Sequence, residues 1–535
     1  MRNMMKAVFA TSVIALSGAL TSAPQAADVL RLDEVAVGEL DPAKGRDYAD
    51  SILLYNAYDT LVLPDPGGPG FAPHLAESFE INEDGTVYTF KLRSGVKFHS
   101  GNELTAEDVV FSLDRMLTLA QGNSGLFAGA VAGTEAIDER TVRITLKAPF
   151  APFMAALTRL GIVDSQTVRA NQQDGDFGEF GDYGQAYLNA SSAGTGAYQV
   201  ESHDPQSLTV LARFDDYFLG VPAEAPDTVR LSYGLEGSTV LALMGRGEHD
   251  IASQWLSPEL KRSIADFESG GMAQESGLAQ FFISLNTQQP PTDDKFCRRA
   301  LSLAVDYEGL RSQANIAPGL EGAQPSKGPI VSGMLGHDAS LPAFAQQNME
   351  AARAELAKCK YNPADHELEV VWIAEVPLEE RFALLMASNF QELGFKTKVV
   401  RNPWVFYTER TADAEQTPHV NQLFFNARSP DPDAFLFTAY HSSAVGQFAQ
   451  AAWFQNEAAD ALLEQGRTTT DPRERERIYK ELAELILDER PTIYGYEVIN
   501  TFPKLDRVSI PRLEDPTQNQ GIMGLNFTFR DMSME

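Results

Sequence analysis

The feature that most constrains this chain is the alternation of two hydrophobic periods along it. In the second half, stretches with helical spacing at 298–310 (RRALSLAVDYEGL), 349–358, 379–393 and 473–487 are separated by short apolar runs at 368–373 (LEVVWI), 396–400 and 421–426. Helices that bury one stripe, alternating with strands buried on both faces, read as an α/β domain. Gly394 falls where the third helix should stop, because glycine takes the left-handed backbone of a C-cap without strain. In the first half the strand period leads. Thr86 to Leu92 follows an Asp84-Gly85 turn and puts Tyr88, Phe90 and Leu92 on one face, and Thr141 to Leu146 repeats the pattern with Val142, Ile144 and Leu146. Between them Thr105 is predicted to cap a helix. Asp108 stands three residues on, and Val109, Val110, Leu113, Met116 and Leu117 form one apolar stripe. Residues 64–73 (PDPGGPGFAP) read as a loop. With 535 residues and 44% apolar content, the chain is too long for one core and calls for two or more domains.

The N-terminus bears on compartment. Arg2 and Lys6 precede an apolar run from Ala7 to Leu20, and small and polar residues follow up to Asp28. A positive start, an apolar stretch of this length and a small-residue exit make a cleavable secretory signal, residues 1–26, with cleavage after Ala26 or Ala27. The run is too short for a permanent span, which needs about 20 apolar residues. The only cysteines, Cys297 and Cys359, lie far from the cleavage site, so no lipid anchor is expected and the reading is a freely diffusing periplasmic protein. In that oxidising space the two cysteines could form a disulfide, with two buried thiols as the alternative. Removing the leader's two positive residues takes the formal charge from −31 to −33. Such acidity argues against nucleic acid and anionic membrane surfaces as partners.

Signatures of catalysis are missing. There is no phosphate-binding GxxxxGK[ST], no GxGxxG, no HExxH, no CxxC and no GxSxG, and the eight histidines do not cluster at metal-ligand spacing. Residues 174–182 (DGDFGEFGD) are acidic, but their spacing fits no calcium loop and reads as a solvated surface. The expectation is a protein that is not an enzyme, with no cofactor and no metal.

A series of motifs then carries a resemblance. In order they are Leu40-Asp41-Pro42, 73–78 (PHLAES), Asp84-Gly85-Thr86, Tyr88-Thr89-Phe90, 92–101 (LRSGVKFHSG), 104–112 (LTAEDVVFS), 194–198 (GTGAY), Leu285-Asn286-Thr287, 298–306 (RRALSLAVD) and 429–435 (SPDPDAF). Their residue types and order resemble the extracytoplasmic solute-binding proteins of family 5, which serve peptide, opine and nickel ABC importers. The resemblance covers nearly the whole mature chain. It implies an α/β, two-lobed periplasmic binding protein fold of type II that closes about a hinge, with an extra subdomain inserted in the first lobe. It also implies a division into 27–284 (lobe 1, with the subdomain at about 66–193), 285–496 (lobe 2) and 497–535 (a C-terminal return to lobe 1). The crossings between lobes are expected near Phe282 to Asn286 and near Tyr494 to Val498.

By the same resemblance, the chain is expected to be a monomer that binds a peptide-like or peptide-derived solute in the interlobe cleft. It would deliver that solute to permease subunits in the inner membrane. A sugar, an opine-type conjugate or another small anion is the alternative ligand, and a secreted hydrolase or chaperone-like protein the alternative class. Peptide-binding relatives hold the ligand's amino group with an Asp at the position of Arg428, and dipeptide binders hold its carboxylate with an Arg in the stretch matched by Trp372-Ile373-Ala374-Glu375. Both anchors are missing here. Arg428 could instead bind a carboxylate or phosphate through its planar fork, or pair internally with Asp431 or Asp433. Trp255, Trp372 and Trp404 are candidates to line the cleft with aromatic faces, each with a core role as the alternative, and Asn286 is counted with the candidate ligand contacts.

Overall fold

The computed structural model describes residues 28–34, 38–65, 70–341, 344, 346–515 and 522–535. The predicted leader lies outside them. Among the described residues, no helix is long and apolar enough to cross a membrane.

The first lobe is built on a four-stranded sheet in the order Val29–Glu34, Thr228–Tyr233, Leu208–Arg213 and Tyr198–Asp204. The first pair is parallel and the others antiparallel. Between its first and last strands in sequence lies a second, antiparallel sheet: Ala76–Ile81, Val87–Leu92, Thr141–Leu146 and Val131–Asp138. This sheet packs on the helix Ala106–Leu119 around its own core of Phe90, Leu92, Val109, Leu113, Val142 and Ile144. The helix begins where the sequence predicts. The Asp108 carboxylate accepts the Thr105 N–H at 2.9 Å and also takes the Ser165 N–H at 2.9 Å, so one side chain caps the helix and ties down a loop. The two ends of the stretch expected as a loop are paired strands, Val62–Pro64 running antiparallel to Phe71–Pro73, and residues 66–69 lie outside the described residues. Proline tolerates such short edge strands because an edge leaves its missing N–H uncalled for.

The second lobe is a six-stranded sheet in the order Ala323–Gln324, Thr492–Leu505, Gly270–Leu285, Val420–Asn426, Glu367–Ile373 and Lys396–Asn402. Helices cover both faces. Lys295–Ala304, Tyr307–Ala314 and Pro377–Glu392 pack with Phe281, Leu368 and Val370, while Pro432–Tyr440, Glu457–Thr468 and Pro472–Glu489 pack with Phe282, Val371 and Phe425. The stretch expected as one helix over 298–310 is two. Asp306 interrupts it and caps the second helix, accepting the Gly309 N–H at 2.8 Å. Cys297 and Cys359 are joined in a disulfide within this lobe.

Two long strands connect the lobes. Gly270–Leu285 and Thr492–Leu505 pair antiparallel almost throughout, with a break in register between Glu275 and Ala279. On one side of that break Ala273 and Phe502 enter the first-lobe core; on the other Phe281, Ile283, Ile493 and Tyr496 enter the second. The first crossing therefore precedes the expected Phe282–Asn286, and the second follows Val498. The C-terminal residues Val508, Ile510, Phe527 and Phe529 pack in the first-lobe core.

Candidate functional site

Where the lobes meet, a cleft divides into two chambers of about 360 and 300 Å³. Trp255, Glu375, Val376, Phe424 and Asn426 line both. The partition is aromatic. Trp255, from the loop before the first-lobe helix Pro258–Ala265, meets Phe424 of the second-lobe strand edge-to-face, with ring centroids 6.3 Å apart. One ring comes from each lobe, so closure itself forms the divider.

The first chamber is walled by Glu34, Arg46, Asp47 and Tyr48 on the first lobe and by Glu379, Arg428 and Trp404 among others on the second. Trp404 is fixed at the start of the helix Trp404–Thr411. Its N–H donates to Glu375 at 3.0 Å, and its ring stacks on Tyr407 and meets Phe448 edge-on at 5.0 Å. Arg428 follows the end of the strand Val420–Asn426 and is half-buried. Its carbonyl accepts a hydrogen bond from Arg159 of the first lobe. Its guanidinium makes no hydrogen bond or ion pair among the described residues, and the internal pairing raised as an alternative fails for a clear reason. Asp431 is held by Arg475 at 2.6 and 2.8 Å, and Asp433 by Arg467 at 2.8 and 3.1 Å. Burial, then the neighbouring Arg46, lowers the Arg428 pKa, while Asp47 works in the opposite direction. A guanidinium nevertheless stays charged at physiological pH.

Glu379, in the first turn of Pro377–Glu392, is fully buried against this chamber. Its Oε2 accepts the Ile373 N–H at 2.8 Å, and its Oε1 has no partner among the described residues. Burial, with a smaller push from Glu375, raises its pKa well above the usual carboxyl range and favours the protonated form.

The second chamber is polar on the first-lobe side, with Gln254, Lys261, Asn500 and Thr501. Lys261 is only 8% exposed and donates to Thr501 Oγ1 at 2.8 Å. On the chamber's rim, Arg381 of the second lobe pairs with Glu259 of the first at 2.8 Å.

Of the residues singled out from sequence, the structure brings Arg428, Trp404 and Trp255 together around the cleft. Two lie elsewhere and are corrected. Trp372 is packed in the second-lobe core, because neighbours on a strand point to opposite faces and Ile373 takes the chamber side. Asn286 is fully buried as a loop staple, its Nδ2 donating to the carbonyls of Ala414 and Thr417 at 2.9 Å each and its Oδ1 accepting the Gln288 N–H at 3.0 Å. Sequence reasoning singled out neither Glu379 nor Lys261. No local pattern separates a charge facing solvent from one facing a closed cleft.

Comparison with known proteins settles the family. The description "Bacterial extracellular solute-binding proteins, family 5 Middle" matches residues 70–447. This chain belongs to family 5 of the bacterial extracellular solute-binding proteins. The family 5 protein is 27% identical to the probable D,D-dipeptide-binding periplasmic protein DdpA of Escherichia coli (strain K12), over 89% of this chain and 91% of that one. It is also 27% identical to heme-binding protein A of Haemophilus influenzae, with 85% of each chain covered. Among solved structures, the periplasmic binding protein DppA of Helicobacter pylori in complex with the peptide STSA matches with a TM-score of 0.77 at 24% identity, covering 95% of this chain and 98% of that one. The architecture of this family 5 protein is therefore the two-lobed periplasmic binding protein fold. Its two chambers occupy the cleft between the lobes.

Proposed function

We propose that this family 5 protein is the exported, periplasmic and monomeric binding component of an ABC importer. Its ligand is a peptide-like or peptide-derived solute that presents an anionic group to Arg428. The protein acts by binding and release, with no catalytic step. Lobe 1, its inserted subdomain and the C-terminal return move as one body against lobe 2, about the two long strands.

One observation carries the ligand reading: Arg428 faces the first chamber while the two acids that follow it in sequence, Asp431 and Asp433, are engaged by Arg475 and Arg467. A half-buried guanidinium that makes no ion pair among the described residues favours a ligand carboxylate, which its planar fork can hold through two parallel hydrogen bonds. The relatives named above, one described as binding D,D-dipeptides and another solved with a peptide, support a peptide-derived body for that ligand.

The test has two steps. Mass spectrometry of small molecules retained by periplasmic protein identifies the ligand, and calorimetry compares wild type with Arg428→Ala. The variant should lose about ten- to a hundredfold in affinity, the worth of one charge-assisted hydrogen bond, with little change in the melting temperature of the empty protein. Unaltered affinity with a destabilised empty protein would make Arg428 a structural residue.

A further inference from the structure

The second chamber holds a buried lysine that the Arg428 reading leaves unused. Lys261 projects from the second turn of the helix Pro258–Ala265, which starts at the cap Ser257. It is 8% exposed, and its one hydrogen bond among the described residues goes to the neutral hydroxyl of Thr501. An ammonium carries three donors, so two remain for something else. Among the described residues no carboxylate reaches ion-pair distance of Lys261, although a buried charge without a partner is costly.

The charged and titratable groups around it explain why. Glu375 and Glu380, from the start of the helix Pro377–Glu392 and the loop before it, are exposed, and Glu375 already accepts the Trp404 N–H. Arg381 pairs with Glu259 at the rim, and Arg262, on Lys261's own helix, donates to the Ile316 carbonyl. Tyr496, from the strand Thr492–Leu505, is buried with its pKa pushed well up, foremost by desolvation, so it stays neutral. Glu275, on Gly270–Leu285, is occupied by Asn526, Asn500 and Tyr48.

We propose that the second chamber is a second carboxylate subsite with Lys261 as its anchor, so that the ligand carries two carboxylates, one on Arg428 and one on Lys261, with its body passing the Trp255–Phe424 partition. This rests on the Arg428 reading for the first carboxylate. One monovalent cation among neutral amides and hydroxyls (Gln254, Asn426, Asn500, Thr501) matches a singly charged carboxylate better than a doubly charged phosphate. Binding also couples to a proton. Burial alone brings the Lys261 pKa down to about 7, so at pH about 8 the empty chamber holds mostly the neutral amine. A carboxylate arriving there favours the ammonium, raises that pKa and draws in a proton. Affinity for the second carboxylate should therefore weaken as pH rises above about 7.

The experiment is isothermal calorimetry at pH about 8 in two buffers of different ionisation enthalpy. The probes are N-succinyl-dialanine, with a carboxylate at each end, and N-acetyl-dialanine, with only one; the proteins are wild type, Lys261→Met and Arg428→Ala. Wild type should bind the succinyl probe roughly ten- to a hundredfold tighter than the acetyl probe, with proton uptake for the succinyl probe alone. In Lys261→Met both the preference and the proton uptake should vanish. Equal wild-type affinities, no binding of the succinyl probe at millimolar concentration, or a preference that survives Lys261→Met overturns the proposal. Acetyl-probe affinity that survives Arg428→Ala instead overturns the first-chamber reading, an outcome that the Lys261 variant does not affect.

Discussion

At the scale of single residues, several motif positions turn out to hold the frame on which the cleft is built. Asp41 of the Leu40-Asp41-Pro42 motif is buried and takes both Nη atoms of Arg115 at 2.6 Å, while Arg115 Nε donates to the Tyr183 carbonyl at 2.7 Å. Removing one partner leaves the other charge buried and unpaired. Asp41→Ala should accordingly cost about 3–5 kcal/mol in a denaturant melt, with ligand affinity of the remaining folded protein preserved. Glu379 makes the opposite case, a buried acid with no cation paired to it among the described residues. Its folded pKa is raised, foremost by burial, so its contribution to stability is fully present below the ordinary carboxyl range and is lost as pH rises towards the folded value. Glu379→Gln keeps an acceptor for the Ile373 N–H and cannot ionise. The empty variant should melt like wild type in acid and be the more stable of the two near pH 8. A pH series of thermal melts reads this directly, and equal melting temperatures near pH 8 would contradict it.

At the scale of elements, the cleft depends on where helices and strands stop. Pro377 and Pro258 each stand in the first turn of a helix whose N-terminal half reaches the cavities, a position where the missing N–H of proline costs nothing. Gly394 ends Pro377–Glu392 with φ +95°, in the left-handed region, and so returns the chain to the strand Lys396–Asn402. The disulfide joins Cys297, on the helix Lys295–Ala304, to Cys359, just after the helix Met349–Leu356, across 62 residues of one lobe. In the chain-entropy account such a loop is worth up to about 4 kcal/mol. Reduction should therefore lower the denaturation midpoint while leaving affinity at the cleft unchanged, since neither cysteine lines a chamber. A reduced protein that binds normally but melts earlier is the expected pair of results.

At the scale of the molecule, the lobes meet through polar contacts as well as the Trp255–Phe424 ring pair. Arg381–Glu259, the donation from Arg159 to the Arg428 carbonyl and that from Arg262 to the Ile316 carbonyl join the lobes, and two long strands connect them. The exposed Arg381–Glu259 pair contributes little, so closure draws on the further contacts that a ligand makes to both walls at once. Saturating ligand should shrink the radius of gyration in small-angle scattering. It should also stabilise the protein by about 2.7 kcal/mol at a hundred times Kd. An unchanged envelope at saturation would show that the empty protein already rests closed.

The sequence alone determined the elements and the family pattern: the strand faces at Tyr88-Phe90-Leu92, the Thr105–Asp108 cap, the Gly394 stop and the order of motifs from Asp41 to Asp433. These are local, set by side-chain period and backbone preference within a few residues. It also identified Arg428 as a departure from the peptide-binding pattern, because charge reversal at one position is visible in a string. Tertiary structure alone decided the neighbours. Asp431 and Asp433 could have neutralised Arg428, but Arg475 and Arg467, on later helices, take them. Trp372 and Ile373 are adjacent in sequence, yet the sheet sends one to the core and the other to the cleft. Glu379 and Lys261 are buried ionisable groups only because packing closes over them. A side chain's electrostatic environment depends on what arrives from distant parts of the chain, and that is settled only when the two lobes meet.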